Sequence, residues 1–480
     1  MQDVDKVSKP KRTLIIGGGE AGSLLIYHLK RQKNTDFDVI GILDDDKHKQ
    51  KTNIFGSPII SKLESLEEVV EREHIEHIIL AIPSLDAKKR IRLLNRCAKL
   101  KIQTEILPDI DAVIRGKEEP VALKTIDYAD LLDRGENKIN YKKIKPLFYE
   151  KRILISGAGG SIGSEIARQL VKCEPKEIIL LGHGENSIYE IQQCLNEMHF
   201  LNTIPVIADI QDEKRMQEVF LKFKPEIVYH AAAHKHVPLM EGNVKEAIKN
   251  NIIGTKNMVN ISAEANVERF IMISTDKTVA PTSVMGATKK VAEWIVQSKN
   301  REAIRTIYTV VRFGNVLGSR GSAIPLFWKQ IKAGKEVTIT HPDMERYFMT
   351  IPEASQLVIE AGFLAKGKEI FILKMGTPQK IIDIVNKLII LAGKKAEDIP
   401  IKFTGLRSGE KISEDLFENK EKMMIHDIHP KFYCGVAQVP KNIEYLEEWL
   451  EQLLELPDER AKIELLKLTK NNLMRPKEYI

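Results

Sequence analysis

Side chains able to transfer protons follow an apolar segment that begins at Ile271. The run IMIS is typical of a buried parallel strand, and Thr275, Asp276 and Lys277 come directly after it. A hydroxyl, a carboxylate and an amine therefore stand at a strand end, which is where open α/β sheets hold their ligands. These residues are a candidate acid–base centre. The alternative is a solvated acid–lysine pair that only caps the next helix.

The helix expected after Pro281 adds a second amine. The chain has helical character from Val284 onward, and Met285 and Lys289 stand four residues apart on it. Residues at this spacing share one helix face, which we expect to point back toward the strand end. Lys289 is therefore predicted to hold a cofactor ribose. Met285 belongs to the same site, although a methionine cannot titrate.

The composition is that of a soluble globular protein with two or three domains. Its 480 residues are 43% hydrophobic and 29% charged, and 73 basic against 67 acidic residues give a net charge of +6. This small excess does not indicate a nucleic-acid partner. The four cysteines lack paired metal-ligand spacing, so no metal site is predicted. No apolar run approaches the roughly 18 residues of a membrane span, so we expect a cytoplasmic protein.

A glycine-rich turn follows the first predicted strand, RTLII. Gly17, Gly19 and Gly22 fit the spacing G-x-G-x-x-G between a strand and an amphipathic helix. Asp44 ends the next strand, at the distance where an acidic residue meets a ribose. These four residues are a possible second nucleotide site. The same spacing also serves tight strand–helix packing, and both interpretations stay open.

The strand–glycine–helix pattern repeats after Lys151. RILIS leads into GAGGSIG, where Gly157, Gly160 and Gly163 let backbone N–H groups and a helix N-terminus face a pyrophosphate. Five strand–helix units in succession predict a parallel doubly wound sheet. The other predicted cofactor contacts lie on this loop or at the ends of the following strands: Ser161, Ile162, His183, Asn186, Asp209, Ile210, Ala231 and Ala232.

The end of the second strand of this repeat bears on the choice of cofactor. No acidic residue follows EIILL directly, whereas His183 or Asn186 would tolerate a 2′-phosphate. The sequence therefore leaves both NADP and NAD open.

The fold class is thus α/β, with two Rossmann-like, doubly wound parallel-sheet domains. We divide the chain into an N-terminal Rossmann-like domain (1–107), a connector (108–150), an NAD(P)-binding catalytic domain (151–345) and a C-terminal substrate-binding and helical region (346–480) interleaved with it.

Polar and cationic residues from separate loops are candidate substrate contacts. Arginine offers a fork to phosphate oxygens, so several such residues together suit a diphosphate. Each of these arginines taken alone is better explained as a surface charge. The predicted substrate contacts are His234, Lys235, Asn315, Ser319, Arg320, Arg346 and Arg407.

Seven segments together carry a resemblance to a known family: GAGGSIGSEI, AAAHKHVPLME, STDK, VMGATKK, RFGNVLGSRGS, HPDMERYFMTIPEA and TGLRSGEK. In this order, over residues 151–420, they resemble the bacterial nucleotide-sugar 4,6-dehydratases of the extended short-chain dehydrogenase/reductase superfamily. More narrowly, they are similar to the long polysaccharide-biosynthesis type (capsule and O-antigen), which acts on UDP-N-acetylglucosamine. Many enzymes of this build have a Tyr base at the position of Met285, and a Met there is a mark of the long type.

The resemblance implies a UDP-sugar substrate and tightly bound, recycled NADP or NAD. Hydride leaves sugar C4, water is eliminated across C5 and C6, and the hydride returns to C6. Asp276 is then the acid for the departing hydroxyl and Lys277 the C5 base, an amine kept neutral by burial and by nearby Lys289. Thr275 and Lys289 assist the C4 oxidation. The acceptor of the C4 hydroxyl proton is either Asp276 acting twice or a water.

The resemblance also bears on assembly and location. Long members usually start with transmembrane helices, so membrane association through a missing N-terminal part, at the inner face of the membrane, is an expectation alongside a plain cytoplasmic location. A homo-oligomer and retention at C5 are expected by analogy. A UDP-sugar epimerase or reductase of the same superfamily and a non-catalytic nucleotide-binding regulator are the alternative functions.

Overall fold

A computed structural model describes residues 10–31, 36–82, 85, 87–100, 102–107, 124–125, 139–300, 305–392, 394, 396–417, 426–436, 439–440 and 442–471. The chain divides into two compact units. The first comprises residues 1–135, 326–338 and 383–402, and the second comprises residues 136–325, 339–382 and 403–480.

The first unit contains a seven-stranded sheet of order β3-β4-β2-β1-β5-β6-β7. Strands β4, β2, β1, β5 and β6 are parallel neighbours. Helices connect β1 to β2, β4 to β5 and β5 to β6, whereas turns and the short strand β3 lie between β2 and β4. The elements are β1 (Lys11–Ile16), α1 (Glu20–Arg31), β2 (Phe37–Leu43), β3 (Asn53–Ile54), β4 (Ser57–Ser61), α2 (Leu66–Arg72), β5 (His77–Leu80), α3 (Ala87–Lys99), β6 (Gln103–Ile106) and β7 (Lys124–Thr125).

The second unit contains a nine-stranded sheet of order β10-β9-β8-β11-β12-β13-β18-β22-β21. The first seven strands in this order are parallel, and the last two pair antiparallel. The strands are β8 (Arg152–Ser156), β9 (Glu177–Gly182), β10 (Thr203–Ile207), β11 (Ile227–His230), β12 (Arg269–Thr275), β13 (Ile307–Phe313), β18 (Glu369–Leu373), β21 (His426–His429) and β22 (Phe432–Val436).

The helices of the later chain are α4 (Tyr141–Phe148), α5 (Ser161–Leu170), α6 (Glu185–Glu197), α7 (Glu213–Phe223), α8 (Val237–Glu241), α9 (Val244–Ala247), α10 (Gly254–Glu264), α11 (Val284–Lys299), α12 (Ala323–Lys332), α13 (Ile351–Leu364), α14 (Ile381–Leu391), α15 (Leu446–Glu455) and α16 (Asp458–Asn471). A π-helical turn, Ile248–Ile253, joins α9 to α10.

Six short strands form three two-stranded sheets: β14 (Asn315–Val316) with β17 (Phe348–Met349), β15 (Val337–Ile339) with β20 (Ile401–Phe403), and β16 (Glu345–Arg346) with β19 (Gln379–Lys380). Parts of α12, β15, α14 and β20 belong to the later segments of the first unit.

The α/β fold class predicted from the sequence is confirmed. The central strands of the second unit are almost fully buried, since helices cover a parallel sheet on both faces. The strand order reverses beside β8, and such a switch point is where ligands bind in doubly wound sheets.

The predicted connector, residues 108–150, lies mostly outside the described residues. Its described end carries α4, which begins where the Asn140 side chain accepts a hydrogen bond from the Lys143 N–H at 3.3 Å. Among the described residues, no helix combines the length and the apolar character that a membrane crossing requires.

Candidate active site

The predicted acid–base group lies at the carboxyl end of β12, which pairs with β11 and β13 in the middle of the sheet. Thr275 ends the strand, and a short helical turn, Asp276–Thr278, follows. The Thr275 hydroxyl accepts a hydrogen bond from the Lys277 N–H at 3.4 Å and thus fixes the turn. The strand end therefore presents the hydroxyl, carboxylate and amine to one side of the sheet.

Asp276 is fully buried. Its Oδ1 accepts hydrogen bonds from Thr275 Oγ1 at 2.9 Å and from Lys277 Nζ at 2.9 Å. Its Oδ2 has no hydrogen-bond partner within the described part of the chain. A buried carboxylate oxygen without a partner is costly. In a native structure such an atom is explained by strain, by a catalytic role, or by a bound water or ion.

The Lys277 amine lies between acceptors from three segments. Besides Asp276, its Nζ donates to Asn315 Oδ1 at 3.1 Å and lies 3.8 Å from Glu414 Oε1. The Lys277 side chain is 20% exposed, so it is mostly buried but keeps some access to solvent. The structure thus brings predicted residue Asn315 to Lys277 and adds Glu414, which the sequence did not indicate.

Helix α11 supplies the second amine. Ser283 begins the helix by accepting a hydrogen bond from the Gly286 N–H at 3.1 Å. Lys289 Nζ donates to the carbonyl oxygen of Ile273 on β12 at 2.8 Å, so the helix face points at the strand as expected. Burial lowers the pKa of Lys289 to about 8, although Glu293 opposes the shift. Met285 is buried on the same face.

A buried ion pair is hydrogen-bonded to the end of β12 and to the turn that follows it. Glu293 and Arg312 are both fully buried, and Glu293 accepts from Arg312 Nε at 3.1 Å and from Nη2 at 2.7 Å. The same carboxylate accepts from the hydroxyls of Ser274 at 2.6 Å and Thr278 at 3.0 Å. Sequence reasoning missed this pair; the signal was that Glu293 follows Lys289 by one helical turn.

The second glycine loop joins β8 to α5. Gly157 has a φ of 67°, and a Cβ on it would lie 2.8 Å from the backbone nitrogen of Ala232. A Cβ on Gly163 would overlap the carbonyl oxygen of Gly157, and one on Gly160 would lie 3.1 Å from that oxygen. The loop therefore needs glycine, and it runs against the Ala231–Ala232 backbone beneath the N-terminus of α5.

The other predicted cofactor residues surround this loop. Ser161 and Ile162 open α5. His183 and Asn186 are exposed beyond β9, and Asp209 is exposed after β10, where its Oδ1 accepts from the Gln211 N–H at 2.9 Å. Ile210 is buried beside it. These positions line the carboxyl edge of three neighbouring strands, as a dinucleotide site requires.

A buried histidine ties the glycine loop to α10. His230 Nδ1 lies 2.8 Å from Ser156 Oγ, and its Nε2 lies 3.0 Å from Thr255 Oγ1. Burial and the charge of Lys289 lower the pKa of His230 to about 3. The ring is therefore neutral at physiological pH and acts as a structural link, which sequence reasoning also missed.

The predicted substrate residues have varied partners. Lys235 Nζ donates to Ser319 Oγ at 3.3 Å, so these two residues meet. His234 Nε2 instead pairs with Glu246 Oε1 at 3.1 Å. Arg407 is exposed.

Two of the predicted substrate arginines bind other parts of the protein. Arg320 donates to the carbonyl oxygen of Gly159 at 3.2 Å and to Glu190 at 2.7 Å, which places it on the glycine loop. Arg346 is buried and donates to the carbonyl oxygens of Glu345, Lys411 and Ile412 at 2.7–2.8 Å. Arg346 therefore holds the loop that leads to Glu414.

The glycine turn of the first unit joins β1 to α1. Gly17 has a φ of 102°, and a Cβ on Gly22 would overlap the Gly17 carbonyl oxygen. Asp44 Oδ2 accepts a hydrogen bond from the Gly18 N–H at 2.7 Å, while the space around Gly19 is open. The close contacts at Gly17 and Gly22 require glycine, as tight strand–helix packing does, and Asp44 lies beside the turn.

Nowhere among the described residues do three or more His, Cys, Asp or Glu side chains lie close enough together to hold a metal ion.

In comparisons with known proteins, the two glycine loops fall in matches to two different families. Residues 153–435 match the family described as polysaccharide biosynthesis protein, and residues 6–108 match the one described as CoA-binding domain. The capsular polysaccharide biosynthesis protein CapD of Staphylococcus aureus is 48% identical over 436 residues, which cover 90% of this chain and 72% of that protein.

Two further similarities each cover about three fifths of the chain. The UDP-glucose 4-epimerase of Rickettsia rickettsii is 32% identical over 314 residues, or 64% of this chain and 88% of that enzyme. The X-ray structure of Pen from Bacillus thuringiensis is 34% identical, with a TM-score of 0.58 over 61% of this chain and 91% of that one.

Proposed function

The chain belongs to the polysaccharide biosynthesis protein family of nucleotide-sugar-modifying short-chain dehydrogenases/reductases, and we propose on that premise that it is a UDP-N-acetylglucosamine 4,6-dehydratase. The product is a UDP-4-keto-6-deoxy-N-acetylhexosamine for the synthesis of a bacterial surface glycan. The resemblance noted in the sequence and the arrangement of residues around β12 support this proposal.

The observation that carries the proposal is the contact between Asp276 and Lys277. A fully buried carboxylate is joined at 2.9 Å to the amine of a side chain that is 20% exposed. Oxidation of an alcohol needs a single proton acceptor, whereas elimination of water needs both an acid for the leaving hydroxyl and a base for the neighbouring carbon. Asp276 and Lys277 are adjacent and can supply the acid and the base, so the pair fits elimination.

The loop around Gly157 fits a dinucleotide. Its close approach to Ala231 and Ala232 leaves no room for a Cβ, and the N–H groups from Gly157 to Gly163 suit a pyrophosphate. NAD or NADP bound there would supply hydride acceptance from sugar C4 and hydride return to C6. Lys289 would hold the nicotinamide ribose. The end of β9, with His183 and Asn186, would meet the adenosine ribose, with or without a 2′-phosphate.

The side chains at the end of β12 account for the protons. Thr275 Oγ1 donates to Asp276 Oδ1, so Thr275 can accept the C4 hydroxyl proton and pass its own proton to Asp276. Asp276 then donates that proton to the C6 hydroxyl, which leaves as water. Lys277, as a neutral amine, takes the C5 proton, exchanges its N–H protons with solvent, and delivers a proton to C5 after hydride reaches C6. The only net loss is one water, and Met285 has no proton to move.

The test is a single-product assay without an added reductant. Purified protein incubated with UDP-N-acetylglucosamine should yield a nucleotide sugar lighter by one water, detected by mass spectrometry, and the yield should exceed the amount of enzyme many times over. A substrate of unchanged mass after many enzyme equivalents, with the cofactor retained, would overturn the assignment.

A UDP-sugar 4-epimerase is the second candidate, because the Rickettsia rickettsii relative carries that name. An epimerase would change the C4 configuration at constant mass and would leave the Asp276–Lys277 pair without a role. Chromatographic separation of C4 epimers in the same reaction distinguishes the two functions.

For the first unit, we propose a nucleotide site at Gly17, Gly19, Gly22 and Asp44. The open space around Gly19 and the match of residues 6–108 to the family described as CoA-binding domain support it. Titration calorimetry with CoA should give binding that a Gly19→Val variant lacks, while the same variant keeps full dehydratase activity. Equal heats of CoA binding from the wild type and from Gly19→Val would contradict the proposed nucleotide site.

A further inference from the structure

Glu414 is a buried acid that the proposed reaction does not yet use. It lies in the irregular segment after β20 that contains TGLRSGEK, and its side chain is 4% exposed. Oε1 lies 3.8 Å from Lys277 Nζ, while Oε2 has no hydrogen-bond partner within the described residues. Lys277 therefore stands between two buried carboxylates, Asp276 and Glu414.

The cations near Glu414 are engaged elsewhere. Lys411 Nζ lies 4.0 Å from Oε2 but donates to the carbonyl oxygen of Val279 at 2.8 Å. Arg346 donates to backbone carbonyls of the same loop. Burial raises the pKa of Glu414, with Lys277, Arg346 and Lys411 opposing the shift and Asp276 adding to it. Burial therefore makes the Glu414 carboxylate a better proton acceptor than an exposed glutamate would be.

The reaction proposed above needs Lys277 as a neutral amine. An ammonium has three N–H bonds, and two of them are directed at Asp276 Oδ1 and Asn315 Oδ1. Glu414 Oε1 lies beside the same amine, 3.8 Å from Nζ. A separation of 3.8 Å exceeds a direct hydrogen bond, so transfer requires a bridging water or a small approach of the two side chains.

We propose that Glu414 is a positioning residue that takes one proton from Lys277 and so leaves the neutral amine that removes the C5 proton. The inference rests on the proposed function. The Lys277 Nζ–H bond breaks as the Glu414 Oε1–H bond forms, and the Nζ lone pair then accepts the C5 proton. The Lys277 ammonium exchanges its protons with solvent and then reprotonates C5. Glu414 finally gives its own proton back to Lys277, so no net proton is gained or lost by the enzyme.

The test separates C4 oxidation from C5 exchange. Wild type, Glu414→Gln and Glu414→Asp are incubated with UDP-N-acetylglucosamine in deuterated buffer, with the near-UV absorbance of the bound cofactor followed for the first step and deuterium at C5 for the second. Asp415→Asn is the matched control, because this exposed acid is the adjacent residue. Thermal unfolding of each variant reports on folding.

Glu414→Gln should oxidise C4 as the wild type does but lose C5 exchange at least about tenfold at neutral pH. Its exchange rate should then rise about tenfold per pH unit, because only solvent can deprotonate Lys277, whereas the wild-type rate stays flatter. Glu414→Asp should restore part of the exchange, and Asp415→Asn should match the wild type.

Three results would overturn the inference. Full C5 exchange in Glu414→Gln means that Lys277 needs no such partner. Equal losses of C4 oxidation, C5 exchange and melting temperature mean that Glu414 only supports the loop. Absence of any C5 exchange in the wild type refutes the proposed function itself, and the role of Glu414 with it.

Discussion

Replacing Glu293 with Gln tests whether the buried ion pair holds the active strand end in place. Glu293 accepts two hydrogen bonds from Arg312 and one each from Ser274 and Thr278, with all groups buried. A glutamine keeps the shape but turns an NH₂ group toward one of these donors and puts a neutral amide in place of the carboxylate beside the Arg312 guanidinium. Removing one partner of a buried pair costs about 3–5 kcal/mol, and we expect a loss in this range.

Urea unfolding, followed by tryptophan fluorescence, to which buried Trp294 beside Glu293 contributes, measures this loss. The matched control is Glu447→Gln, which removes the surface pair with Lys256, where the Glu447 side chain is 69% exposed. Its cost should not exceed about 1 kcal/mol. If Glu293→Gln is no more destabilising than Glu447→Gln, the ion pair does not support the strand end.

Two further predictions concern the cofactor side of the site. The folded pKa of Lys289, about 8, lies below the unfolded value of 10.5, so the unfolded chain binds more protons between these values and wild-type stability rises with pH across this window. Lys289→Met should abolish this rise, worth up to about 3 kcal/mol, in unfolding measured at both ends of the window; an unchanged pH dependence would contradict the assignment. Gly157→Ala places a Cβ 2.8 Å from the Ala232 nitrogen at a φ of 67°, so the purified variant should lose bound cofactor, whereas cofactor retained at the wild-type level would refute the loop's role.

The fold was predictable because its signals are local. Each buried strand is a short apolar run, each glycine turn follows a strand, and parallel strands connected by helices arrange in few ways. The position of Asp276 and Lys277 followed from the same logic, since both directly follow β12. The amphipathic face of α11 likewise placed Lys289 at the strand.

The parts of the site that sequence reasoning missed join distant segments. Glu414 meets Lys277 from far along the chain, and Arg312 reaches Glu293 from another strand. Nothing in the local sequence around an acid says which cation will lie beside it after folding. Arg346 and Arg320 illustrate the same difficulty, because an arginine suited to a phosphate is equally suited to backbone carbonyls or a glutamate.

Proton NMR of the reaction in deuterated buffer, with wild type and Lys277→Ala side by side, tests the central claim most directly. Wild type should convert UDP-N-acetylglucosamine into a sugar with a new C6 methyl signal and deuterium at C5, and the C5 coupling pattern should show retention. Lys277→Ala should bind cofactor normally yet incorporate no deuterium. Deuterium exchange at the full rate in Lys277→Ala, or an unchanged sugar with cofactor-loaded wild type, would contradict the account.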